Sequence, residues 1–84
     1  MAAAATPDAA ALPVADLAGR PAAVRTRIVR GWLAARGVPG LGAAQLRAVD
    51  ALVTDWHGQG PVSLPSGAVV TRSSGMLLCA RTDR

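Results

Sequence analysis

The hydrophobic period of this chain changes once, at Gly58-Gln59-Gly60-Pro61. Upstream of that break, apolar residues recur at the helical spacing. Downstream they fall into short runs that alternate or are β-branched and are separated by glycine-containing turns. A chain of 84 residues has room for one small domain. Helices first and strands second in one domain is an α+β arrangement.

The first helix is expected over Pro21–Arg36. Pro21 suits the opening position, where its missing N–H would find no partner, and Gly37 suits a left-handed stop before Pro39. At 100° per residue, Val24, Ile28, Val29, Trp32 and Leu33 share one half of the cylinder. The second helix is expected over Ala43–Trp56, with Leu46, Val49, Leu52, Val53 and Trp56 on one side and Arg47, Asp50, Thr54 and Asp55 on the other. The six residues from Gly37 to Gly42 join them as a hairpin. Strands are expected at Val62–Leu64, Ala68–Arg72 and Met76–Ala80, with turns at Pro65-Ser66-Gly67 and Ser73-Ser74-Gly75. The expected fold is thus a small helical hairpin followed by a three-stranded antiparallel meander packed on it, since such a sheet cannot stand alone. The domain is expected over residues 14–82. Residues 1–13 form an alanine-rich flexible lead-in, either disordered or the frayed end of a preceding helix.

The core of such a domain is thin. Of the 43 apolar residues 19 are alanine, and there is no Phe or Tyr. Trp32 and Trp56 could stack on bases, as aromatics do in single-strand binders, but each lies on the apolar arc of its helix and is expected in the core, Trp56 over the helix–sheet junction. A complete metabolic enzyme with its own nucleotide pocket does not fit in this chain. The longest apolar run, Ala9–Ala15, is interrupted by Pro13 and is far short of a membrane span. One cysteine, Cys79, permits no internal disulfide. A cytoplasmic location is expected, with neither a membrane nor a metal as partner.

Charge supplies the functional lead. The net charge is +4, from nine arginines, no lysine and five aspartates. Arg20, Arg25, Arg27, Arg30 and Arg36 lie in seventeen residues that contain no acid. A cluster of this kind is either a solvated face or a site for a polyanion such as nucleic acid. Arg27 and Arg30 fall on the solvated half of the first helix. Arg25 and Arg36 fall within its apolar arc near the two ends, from where they snorkel outward or reach a ligand. Catalytic groupings are missing. His57, the only histidine, suits a helix C-cap or the surface, and Cys79 suits a structural thiol. Asp50 and Asp55 diverge on their helix. No glycine run ends in Lys-Ser or Lys-Thr to cradle phosphates.

Two stretches resemble a known family. PAAVRTRIVRGWLAARGV (21–38) is similar to the start of the substrate-binding region of bacterial tRNA(Ile)-lysidine synthetases, and LRAVDALVTDWHGQGPVSLP (46–65) resembles its actinobacterial version. Trp32, Trp56, Gly58, Gln59 and Gly60 carry that pattern, and Val70, Arg72, Gly75 and Leu77 fit its closing strands. Ser66-Gly67 stands where the family often has two glycines. The family's enzyme uses ATP, with magnesium, to attach lysine to the wobble cytidine of an isoleucine tRNA. It does so in an N-terminal domain with a Ser-Gly-Gly-x-Asp-Ser loop that is not present here. The resemblance therefore implies a detached or truncated piece with no cofactor of its own, not catalytic alone. Its partners would be tRNA and the N-terminal catalytic domain. Arg20, Arg25, Arg27, Arg30 and Arg36 would contact tRNA phosphates. Two other readings stay open: a structural domain that packs on a separate catalytic domain, and a DNA-binding helical hairpin.

Overall fold

A computed structural model describes residues 11–38, 40–64 and 67–81. Two helices and a four-stranded antiparallel sheet make up the α+β fold. Strand β1 spans Ala11–Pro13 and runs into a 3-10 turn, Val14–Asp16. Helix α1 spans Ala22–Ala35 and α2 spans Ala43–Thr54. Strands β2 (Val62–Ser63), β3 (Ala68–Ser73) and β4 (Met76–Arg81) follow. The order across the sheet is β1-β4-β3-β2.

The expected three-strand meander is present as β2-β3-β4, but a fourth strand lies on its edge. Ala11, Leu12 and Pro13 pair with Leu78, Leu77 and Met76. Residues 11–13 thus belong to the sheet and not to a flexible lead-in. The remainder of that lead-in, residues 1–10, lies outside the described residues. The reason is burial. Leu12, Val14 and Leu17 are all in the core, and anchoring three such side chains in so thin a domain fixes the backbone that carries them.

The helix ends follow their local chemistry. At the end of α1, Val38 N–H bonds the Leu33 carbonyl (2.8 Å) and Gly37 N–H the Ala34 carbonyl (3.0 Å), with Gly37 at φ 87°. This is a Schellman closure, and Leu33 and Val38 are both buried within it. At the start of α2, the Gln45 side-chain oxygen accepts the Gly42 N–H at 3.0 Å. That is one half of a capping box, glycine having no side chain to supply the other. Strands β3 and β4 join through Ser74-Gly75, with φ of 53° and 77°. Positive φ at both central residues is the type I′ signature, whose twist matches that of the flanking strands.

One core unites these elements. Val29, Trp32 and Leu33 of α1 and Leu46, Val49 and Leu52 of α2 meet Leu12, Leu64, Ala68, Val70 and Leu77. The helical arcs read from the sequence are therefore the faces turned to the core, apart from Val24 and Trp56, with Ile28 and Val53 partly buried at their edges. Register places Ala11, Val69, Thr71, Met76, Leu78 and Ala80 on the opposite side of the sheet. Among the described residues, no helix is long and apolar enough to cross a membrane.

Candidate nucleic-acid interface

The seventeen-residue basic stretch does not act as one unit. Arg25 turns across the helical hairpin: its Nε and Nη2 donate to the two carboxylate oxygens of Asp50, at 2.8 and 3.1 Å. The pair is largely shielded, with 15% and 21% of the side chains exposed. Hydrogen bonding to Asp50 raises the Arg25 pKa above its ordinary value, desolvation opposes this, and the Asp50 charge adds to it. Arg25 Nη1 also donates to the Arg20 carbonyl at 2.6 Å, and Arg20 Nε donates to the Asp16 carbonyl. Arg36, at the C-cap of α1, is half-buried. Of the arginines expected on phosphates, Arg25 is thus engaged by the domain's own carboxylate and the exposed Arg20 by one backbone carbonyl, while Arg36 is half-buried. The counter-anion that the basic stretch lacks comes from α2, where the helical wheel placed Asp50 on the solvated side. Asp50 faces the other helix.

Among the described residues three guanidinium groups stay unpaired. Arg27 and Arg30 of α1 and Arg47 of α2 are exposed and make no hydrogen bond or ion pair among the described residues. Arg30 and Arg47 line one groove of about 310 Å³ between the helices, with Ala22, Thr26, Ala43, Leu46 and Asp50. Small residues on both helices leave the space open. Because Asp50 is already neutralised by Arg25, the groove is net positive. Arg47 escaped the sequence reading because it stands alone in an acidic segment. Its position on the polar arc of α2 was the only signal.

Trp56 departs most from expectation. It is 40% exposed and does not cover the core. Helix α2 ends at Thr54, and Asp55 leaves the helix at φ −139°, so a helical wheel no longer gives the direction of residue 56. Arg72 takes the position instead. Its Nη1 donates to the Leu52 carbonyl at 2.8 Å, capping α2, and its guanidinium lies 5.1 Å from the Trp56 ring centroid. Gln59 pins the loop by accepting the His57 N–H at 2.9 Å and donating to the Asp55 and Ala51 carbonyls at 3.2 and 3.3 Å. Gly58 adopts φ 83° between them. His57 turns its Nδ1 to the Asp55 carbonyl at 2.9 Å, as a helix-end residue. Trp32 is in the core, 1% exposed. Cys79 is half-buried against the core. Among the described residues no group of His, Cys, Asp or Glu could hold a metal ion, and no glycine loop could cradle ATP phosphates, so no chemical step is assigned through either.

Fold and surface define a small α+β domain with exposed arginines on its two helices. The chain belongs to the TilS substrate binding domain family, whose model matches residues 12–78. It is 45% identical over 82 residues to a tRNA(Ile)-lysidine synthase of Nocardia farcinica, a match covering 98% of this chain and 24% of that protein. It is 54% identical over 57 residues to one from Mycolicibacterium paratuberculosis, covering 68% of this chain and 18% of that protein. With one from Rhodococcus erythropolis, the identity is 45% over 76 residues, covering 84% and 23%. The chain thus spans less than a quarter of the length of these curated relatives. No solved structure matches it.

Proposed function

We propose that the domain binds the phosphate backbone of tRNA and so serves a tRNA(Ile)-lysidine synthase as its tRNA-holding part. The observation that carries this reading is the set of Arg27, Arg30 and Arg47, exposed and unpartnered among the described residues, two of them lining one groove. Guanidinium groups grip phosphates with two parallel donors. In this reading ATP, magnesium and the ligation of lysine to the wobble cytidine belong to the catalytic part of such an enzyme, and the cytoplasm is where they meet tRNA. Replacing Arg27 and Arg30 together by Gln tests it. Folding should stay near normal while tRNA binding weakens and its salt dependence becomes shallower, by about one unit of slope per lost contact. A double variant that binds tRNA unchanged at every salt concentration refutes the role of these two side chains.

A second reading has its own support. The outward sheet face carries no charged residue at Ala11, Val69, Thr71, Met76, Leu78 or Ala80, and Leu78 is 37% exposed. An uncharged face of this kind suits packing on the catalytic part of the enzyme. Leu78→Glu should then weaken association with that part and leave tRNA affinity unchanged.

A further inference from the structure

Trp56 is the element that phosphate binding leaves unused. The chain has only two aromatic residues, and the other, Trp32, is 1% exposed. A domain with so little apolar mass gains by burying a large ring, yet Trp56 stays 40% exposed. The backbone on either side of it is nevertheless held, and one face of the ring meets Arg72. Gln59 makes three hydrogen bonds that close the loop on the end of α2. Arg72 lies over the ring at 5.1 Å with Nη1 tied to the Leu52 carbonyl.

We propose that Trp56 is a stacking platform for one unpaired base of the bound RNA, with Arg72 as the residue that positions it. The proposal rests on the tRNA-binding reading and extends it from phosphates to a base. Any base presents a π-face to an aromatic ring, so the contact is tolerant of sequence. In a regular duplex both faces of a base are already stacked, so the occupant is a loop or single-stranded nucleotide. The surroundings favour a base over a protein partner. A protein-docking patch is a contiguous apolar area, whereas the chain neighbours of Trp56 are Asp55, His57, Gly58 and Gln59, all polar or small.

The test uses the whole 84-residue chain with an unmodified isoleucine tRNA transcript as probe, and a blunt RNA duplex as control. Trp56→Leu should weaken tRNA binding about tenfold at every salt concentration, without changing the salt slope, because the lost contact carries no charge. Trp56→Phe should recover most of the loss. On the wild-type chain, which needs no variant to fold, tRNA should shield the exposed tryptophan from acrylamide quenching and the duplex should not. Equal tRNA affinity of wild type and Trp56→Leu, with a steep salt dependence in both, overturns the stacking and leaves the arginine reading standing. So does undiminished acrylamide quenching in the tRNA complex. Shielding by the catalytic part of the enzyme instead of by tRNA assigns the ring to a protein contact and overturns the proposal too. A wild-type chain with no tRNA affinity at low salt overturns both readings.

Discussion

Arg25 and Asp50 join α1 to α2 through two parallel hydrogen bonds, from Nε and Nη2 to the two carboxylate oxygens. One partner comes from the basic stretch and the other from the polar side of the next helix, so the contact fixes how the hairpin closes. Asp50→Asn removes the charge and one strong acceptor. The melting temperature should fall, while tRNA affinity should rise severalfold at low salt as Arg25 is released and the groove gains positive charge. Lower stability combined with lower affinity would refute the view that Asp50 masks a phosphate-binding arginine.

The pH dependence of this pair has a definite sign. Arg25 holds its proton more tightly in the folded chain than in the unfolded one. Its contribution is therefore fully present below the ordinary guanidinium value and is lost only as pH rises through the higher, folded value. The difference in melting temperature between wild type and Arg25→Gln should stay constant from about pH 6 to about pH 10. A difference that shrinks steadily within that window would contradict the assignment.

Arg47 and Arg20 make a matched comparison. Arg47 lines the groove without a partner among the described residues, and Arg20 is tied to the Asp16 carbonyl. Arg47→Gln should reduce the slope of log affinity against log salt by about 0.7 to 0.9, the value of one phosphate contact. Arg20→Gln should leave the slope where it was. Equal slopes for both variants would place the RNA away from the groove.

The two tryptophans should separate in denaturant. Trp32→Ala empties a fully packed site and should cost about 3–5 kcal/mol, enough to unfold a domain of this size. Trp56→Ala removes an exposed ring and one cation–π contact, a loss of about 1 kcal/mol or less. Urea midpoints report both. A large loss at Trp56 would mean the ring carries structural weight that its exposure does not show.

The β3–β4 turn offers a gain. Ser74 holds φ 53°, which asparagine adopts more readily than serine. Ser74→Asn should stabilise by about 0.5 kcal/mol. Gly75→Ala, at φ 77° with open space around the added carbon, should cost about 1 kcal/mol through backbone strain alone. Thermal melting of both variants checks the turn type.

Most of the fold was legible because it is local. The helical arcs of α1 and α2, the Gly37 stop and the Ser74-Gly75 turn depend on residues within a few positions of one another. The exposure of Arg27 and Arg30 followed from the same wheel. What escaped depends on distance. Three residues around a proline carry no strand signal, and β1 exists only because β4 is there to pair with it. Asp50 was read onto the solvated side of its helix, but how the two helices cross turns that side toward Arg25. Trp56 was placed by a period that had ended two residues earlier, and Arg72, which lies over its ring, comes from another element. Spacing along one helix could not show that Arg30 and Arg47 share a groove.

Strand β1 imposes an order of events on folding. Ala11–Pro13 pairs with Met76–Leu78, more than sixty residues further along the chain. The β3–β4 hairpin closes over a two-residue turn and is ready first. Joining β1 to it closes a loop of more than sixty residues, an entropic cost that grows only slowly with loop length but falls on one three-residue pairing. The sheet is therefore sealed last at its β1 edge. Until that edge closes, the backbone that carries the core side chains Leu12, Val14 and Leu17 has no sheet partner, and those three are the side chains open to a chaperone or a second copy.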